Sequence, residues 1–224
     1  MSESRPLVRR QKLATEWKTK PTDRFILKWI KVNLSSRITQ RLLKCSAFKP
    51  WMITSFSMIT GVFAGVLFSF NFGFLAGLMA VTSQVFDGVD GQFARLTNRV
   101  TNSGAFLDSV LDRYADGSMV MGLVIFNLHN NSEWGTGFLI TMATLALIGS
   151  GLISYTSARA QNLGISFGKP TLVSKGTRTA IIAICGLLSP ISSLIPLSAL
   201  AYLVVHTNMV VLFRVYKAMT QDKY

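Results

Sequence analysis

The sequence predicts an all-α integral membrane protein, six transmembrane helices preceded by an amphipathic interfacial helix. Three observations carry that expectation. Half of the 224 residues are hydrophobic and the mean hydropathy is +0.40, too apolar for an ordinary soluble domain. Six apolar runs approach the roughly 20 residues that a helix needs to cross the hydrocarbon layer. The cationic residues gather on one side of those runs.

Residues 1–21 are polar and basic and lack the apolar stretch of a secretory signal. Residues 22–49 read as a juxtamembrane amphipathic helix, with Phe25, Ile26, Trp29 and Ile30 at helical spacing and Arg24, Lys28 and Lys31 on the opposite side. Aromatic rings beside cations suit the headgroup layer. Residues 1–49 hold 13 of the 23 Lys and Arg, as a cytoplasmic face lying on anionic lipid would. The expected spans are Trp51–Phe70, Phe72–Phe93, Ser103–Leu128, Gly135–Ala158, Thr179–Ile195 and Pro196–Phe213, so the bundle occupies residues 50–217 and leaves a tail at 218–224. Arg95, Arg99, Arg159, Lys169, Lys175, Arg178, Arg214 and Lys217 fall on one side, whereas Asn71, His129–Trp134 and Pro190–Pro196 contain no Lys or Arg. Both termini are therefore expected in the cytoplasm. A pI near 10.2 would also suit nucleic acid, but the basic residues flank apolar spans and no nucleic-acid-binding motif is present, so lipid is the expected partner. Cys45 and Cys185 read as free thiols.

The chemistry is concentrated in the acids. Of ten acidic residues, five (Asp87, Asp90, Asp108, Asp112 and Asp116) lie within thirty residues, at the cytoplasmic ends of the second and third spans. Charge at that depth is costly and marks a partner or a function. Asp87 and Asp90 are three apart and Asp108 and Asp112 four apart, so each pair shares a helix face. A short connection makes the two helices antiparallel neighbours, and the four carboxylates converge on one cytoplasmic pocket. They could not all stay ionised there without a cation. Oxygen-only donors select a hard divalent ion, Mg²⁺ or Mn²⁺, and four of them leave room for two. The competing structural expectation is an ion-pair cluster with Arg95 and Arg113. An ion-coupled transporter is the rival from another class, but these carboxylates sit at one end of the spans and no inverted repeat is visible. An idle scaffold would have no use for the whole acidic set. Gly91, Ala94 and Gly104 lie on or beside the carboxylate faces, where small residues either let two helices touch or open space for a ligand.

Asp87-Gly-Val-Asp90-Gly91-Gln-Phe-Ala94-Arg95, eight residues, then Gly104-Ala-Phe-Leu-Asp108-Ser-Val-Leu-Asp112 resembles the signature of the CDP-alcohol phosphotransferase (phosphatidyltransferase) family, matching at all eight fixed positions. The resemblance covers most of the chain from about Pro50 onward. It implies a six-span transferase that forms a homodimer, in which Asp87, Asp90, Asp108 and Asp112 hold the metals and Asp112 is also the general base. It further implies that Asp87, Gly91, Ala94, Arg95 and Gly104 form the cytidine diphosphate site. Lys49-Pro50-Trp51-Met-Ile-Thr54 is similar to the family's Pro-Asn-x-x-Thr opening of the first span; Trp51 stands where Asn is usual, and Thr54 retains its hydroxyl for the nucleotide.

Arg159, Lys169, Lys175 and Arg178 occupy one cytoplasmic connection. A basic inside loop accounts for them, and so does a site for the acceptor's phosphate. The Ala158-Arg159-Ala160 stretch and the paired basic residues resemble family members that use an inositol phosphate acceptor, with Gln161 and Lys175 departing from the usual Glu and Arg. Two substrate pairs follow from the resemblance: CDP-diacylglycerol with inositol phosphate, or CDP-inositol with inositol phosphate giving di-inositol-phosphate phosphate. Nine Met and many Asn argue against a hyperthermophilic source and so for the lipid donor.

Overall fold

The computed structural model describes residues 25–45, 47–167 and 175–221, apart from the side chains of residues 25–27, 175 and 221. The polar segment 1–21, Arg24, Lys169 and the apolar side chains of Phe25 and Ile26 lie outside that description. Among the described residues all regular secondary structure is helical. Helix α1 (Phe25–Ile30) runs through a π turn (Lys31–Ser35) into α2 (Ser36–Leu42). The bundle follows: α3 (Pro50–Ser69), α4 (Gly73–Leu96), α5 (Asn102–Asn130), a 3₁₀ turn (Ser132–Trp134), α6 (Thr136–Asn162), α7 (Lys175–Leu187) and α8 (Leu194–Gln221).

Helix α3 starts after an extended Lys49 with Pro50 in its first turn, where the missing N–H costs nothing. It is the hub, packing against both α4 and α5. Small residues permit the approach to α5: a Cβ on Gly65 would meet the Ser118 carbonyl, and one on Gly122 would meet the Gly65 backbone. Reciprocal hydrogen bonds tie α3 to α4, Ser57 Oγ donating to Ser83 O and Ser83 Oγ to Ser57 O, both at 2.9 Å. Gly77 similarly admits α7, and Gly73 admits Ser189 just beyond its end. Phe68, Met119, Leu123, Leu200 and Leu203 fill the centre.

Among the described residues three helices are long and apolar enough to cross a membrane: Pro50–Ser69, Thr136–Asn162 and Leu194–Thr220. Helices α4 and α5 have 24 and 29 residues but carry the acidic set. The run expected as a span over Thr179–Ile195 is divided: α7 has 13 residues and ends at Leu187, and Leu194 and Ile195 already belong to α8. Ser189 precedes Pro190, a context that disfavours the helical region, and Pro196 sits in the first turn of α8.

The juxtamembrane segment differs from a simple amphipathic rod. Trp29 is 61% exposed, but Lys31, expected on the polar side, is 8% exposed. The π turn brings Lys31 and Ser35 onto α4 at Gly88, where a Cβ would meet both side chains. Ser35 Oγ donates to Val85 O at 2.8 Å. Fully buried Gln92 spans the junction, donating to Lys31 O at 2.9 Å and accepting from Thr39 Oγ1 at 2.8 Å. Backbone groups that a helix surface would leave to solvent are thus satisfied by the helix that bears Asp87 and Asp90.

Candidate active site

The connection between the acidic helices is built by local rules. Helix α4 ends in a Schellman turn: Arg99 N donates to Ala94 O at 2.9 Å and Asn98 N to Arg95 O at 3.3 Å, with Asn98 at φ 53. Helix α5 starts at once, its N-cap Thr101 accepting from Gly104 N at 3.1 Å. The two helices do not pack closely on one another, contrary to the expectation of direct neighbours; both lean on α3. A gap is left between them.

Two features occupy its rim. Carboxylate oxygens of Asp87, Asp108 and Asp112, all half-buried, lie within 4.8 Å of one another. Gln84 Nε2 donates to Asp87 Oδ2 at 3.5 Å. Three hard oxygen donors this close suit a divalent cation, which would offset their mutual repulsion. Asp90, 7% exposed, stands apart from that trio on the wall of an adjoining cavity of about 480 Å³, together with Asp108. Thr54, Gly91, Ala94, Arg95 and Gly104 line the same cavity, so five residues expected around a nucleotide meet in one place; Asp87, the sixth, lies with the carboxylates.

The small residues here are not packing devices. A Cβ on Gly91 would meet only the Arg95 guanidinium, at 3.3 Å, and one on Gly104 only Thr101 Oγ1, at 3.0 Å. Neither touches an opposing helix, whereas Gly65 and Gly122 do. Of the two meanings a small residue carries here, the space beside the carboxylates supports the ligand.

The basic residues differ in their surroundings. Arg159 is exposed near the end of α6, and Lys175 opens α7. Arg178, 3% exposed, donates from Nη2 to Asp116 Oδ2 at 2.8 Å. Asp116, outside the carboxylate trio, thus forms a buried ion pair with a partner other than the expected Arg95 and Arg113. Arg113 lies 3.8 Å from Asp112 and 4.0 Å from Asp116 and bonds the Ser154 hydroxyl. Arg214, expected just beyond the last span on the cationic side, is buried within α8; it donates to Thr156 Oγ1 at 2.8 Å and Ser157 Oγ at 2.9 Å. Its guanidinium also lies 5.4 Å from the Phe167 ring centre. The signal for Arg214 was its place at the end of an apolar run, where a cation needs a partner. Among the described residues Arg178 Nη1 is buried with no hydrogen-bond partner.

The sequence profile of the CDP-alcohol phosphatidyltransferase family matches residues 48–218, nearly all of the bundle and every residue of the site described above. The chain belongs to that family. Its relatives include the archaetidylinositol phosphate synthase of Pyrococcus horikoshii, 30% identical over 63% of this chain and 71% of that protein. The phosphatidylinositol phosphate synthase of Streptomyces avermitilis is 35% identical over 54% of this chain and 49% of that protein. A bifunctional IPC transferase and DIPP synthase of Thermococcus kodakarensis is 30% identical over 61% of this chain, which spans only 30% of that longer protein. The fold is shared with Mycobacterium tuberculosis phosphatidylinositol phosphate synthase, solved with CDP-DAG bound: the TM-score is 0.70 at 23% identity, covering 82% of this chain and 92% of that one. The same enzyme solved with manganese and citrate gives 0.71, at 84% and 90% coverage.

Proposed function

We propose that this membrane protein transfers a phosphatidyl group from CDP-diacylglycerol to a hydroxyl of inositol phosphate, releasing CMP. The observation that carries the reading is the gathering of Asp87, Asp108 and Asp112 beside a cavity kept open by Gly91 and Gly104. Asp87, Asp90, Asp108 and Asp112 would hold Mg²⁺ or Mn²⁺, two ions in this reading. Bound there, divalent metal supplies Lewis-acid stabilisation of the charge that develops on the leaving CMP. Thr54, Gly91, Ala94, Arg95 and Gly104 take the cytidine diphosphate half of the donor. Asp112 accepts the proton from the attacking hydroxyl onto a carboxylate oxygen. The acceptor oxygen then bonds to the phosphatidyl phosphorus as the bond to CMP breaks, and CMP leaves with the electron pair.

The acceptor's phosphate is assigned to Arg159, Lys169, Lys175 and Arg178. The unfilled, buried Nη1 donor of Arg178 supports that assignment, as do the inositol-phosphate products in the names of several relatives. CDP-inositol as donor is the second reading, favoured by the bifunctional relatives. The whole unit is read as a homodimer with six spans, and with both termini and the site in the cytoplasm.

The test is CMP release by detergent-purified protein, given each donor with inositol phosphate, glycerol phosphate, serine or inositol. Release should require Mg²⁺ or Mn²⁺ and stop with chelator. Asp112→Asn should lower kcat by about 100- to 10,000-fold with the fold retained. CMP release at the wild-type rate by Asp112→Asn would remove the assigned base. Activity with CDP-inositol alone would select the second reading.

A further inference from the structure

Trp51 is the one position in the opening of α3 that departs from the family pattern, and its surroundings give the replacement a use. Its side chain lines the 480 Å³ cavity that Thr54, Gly91, Ala94, Gly104 and Asp108 also line. It remains 53% exposed.

Lipid contact does not account for it. The exposed apolar side chains of α3 (Met52, Phe56, Ile59, Phe63 and Val66) form one stripe. At about 100° per residue, Trp51 lies roughly a quarter-turn or more from the centre of that stripe, displaced toward Thr54. It stands on the cavity side of the helix.

The cavity calls for a flat partner. Gly91 and Gly104 present no side chain, and a Cβ on either would meet only polar atoms of its own helix or cap. Among the described residues Trp51 supplies the one aromatic face on the wall, at the polar end of the bundle. An indole offers a base stacking energy that is indifferent to hydrogen-bond pattern, and it takes the place of an amide that reads by hydrogen bonds.

We infer that the Trp51 indole is the platform on which the cytosine ring of the donor stacks. Binding strength for the nucleotide is thereby moved from a polar contact to an aromatic one. The inference rests on the reading of this cavity as the nucleotide site.

The experiment is calorimetric titration of the full-length protein in detergent with Mn²⁺ present, using CMP, CDP and pyrophosphate, which carries the phosphates without the base. Wild type is compared with Trp51→Phe and Trp51→Ala. Trp51→Ala should weaken CMP and CDP about tenfold or more, while Trp51→Phe stays within about threefold of wild type. Pyrophosphate affinity should be the same in all three. A wild type that binds CMP and a Trp51→Ala protein that binds it equally well overturns the stacking role alone. Equal loss of pyrophosphate and CMP assigns Trp51 to packing or membrane anchoring and likewise overturns it. A wild type that binds pyrophosphate but neither nucleotide overturns the nucleotide reading of the cavity and the stacking role with it.

Discussion

Gly65 and Gly91 look alike in the sequence and do opposite work. The first lets α5 press its Ser118 carbonyl against α3; the second lines the cavity next to a carboxylate, where a Cβ would meet only the tip of Arg95. Gly65→Ala should therefore destabilise the bundle by about 1–3 kcal/mol, read as a lower Tm in detergent. Gly91→Ala should leave Tm unchanged and raise KM for the CDP-linked donor, because the added methyl occupies ligand volume. The carboxylates carry a parallel lesson. Asp112 and Asp116 are one turn apart at similar depth, and spacing alone groups both with Asp108. What separates them is Arg178, 62 residues later, which pairs with Asp116 and withdraws it from the trio. The motif assigned roles to the first four acids; the fate of the fifth depends on a long-range contact that no local pattern contains.

Among the elements, the α4–α5 unit was the most legible. Its helices are recorded in Asp87, Asp90, Asp108 and Asp112 at spacings of three and four, and its turn in Asn98 and Thr101, residues suited to a left-handed cap and an N-cap. The gap between the two helices was not legible, because it depends on α3 holding both. The break between α7 and α8 was obscured by continuous hydropathy, in which two prolines outweigh the apolar residues around them. The juxtamembrane segment was misread at Lys31, since a π turn shifts the face that a regular period assigns. Gln92 is the residue that makes this segment part of the site's support. Gln92→Leu should remove the bridge to the Lys31 carbonyl and the Thr39 hydroxyl, which keep their local bonds to Ser36 N and Ser35 O, costing about 0.5–1.5 kcal/mol per lost bond. Thermal unfolding measures that loss, and Mn²⁺ titration of the same protein measures how far it reaches Asp87 and Asp90.

At the scale of the whole molecule, charge is asymmetric along the chain. Lys and Arg are concentrated before α3, and the acidic set lies at the same end of the bundle, where under the proposed function a water-soluble acceptor and a bilayer-borne donor would meet. Cys45 is exposed in that basic stretch, and Cys185 is half-buried in α7. A membrane-impermeant maleimide should label Cys45 in inverted vesicles and spare it in intact cells; the reverse pattern would turn the protein over. The polar bridges between the π turn and α4 also bear on where the functional unit begins. The family match starts at residue 48, yet the partners of buried Gln92 are Lys31 and Thr39. A fragment cut at the edge of the homology would keep every signature residue and strip the cover from the helix that carries half of them. The packed unit is longer than the matched one and reaches back at least to Lys31.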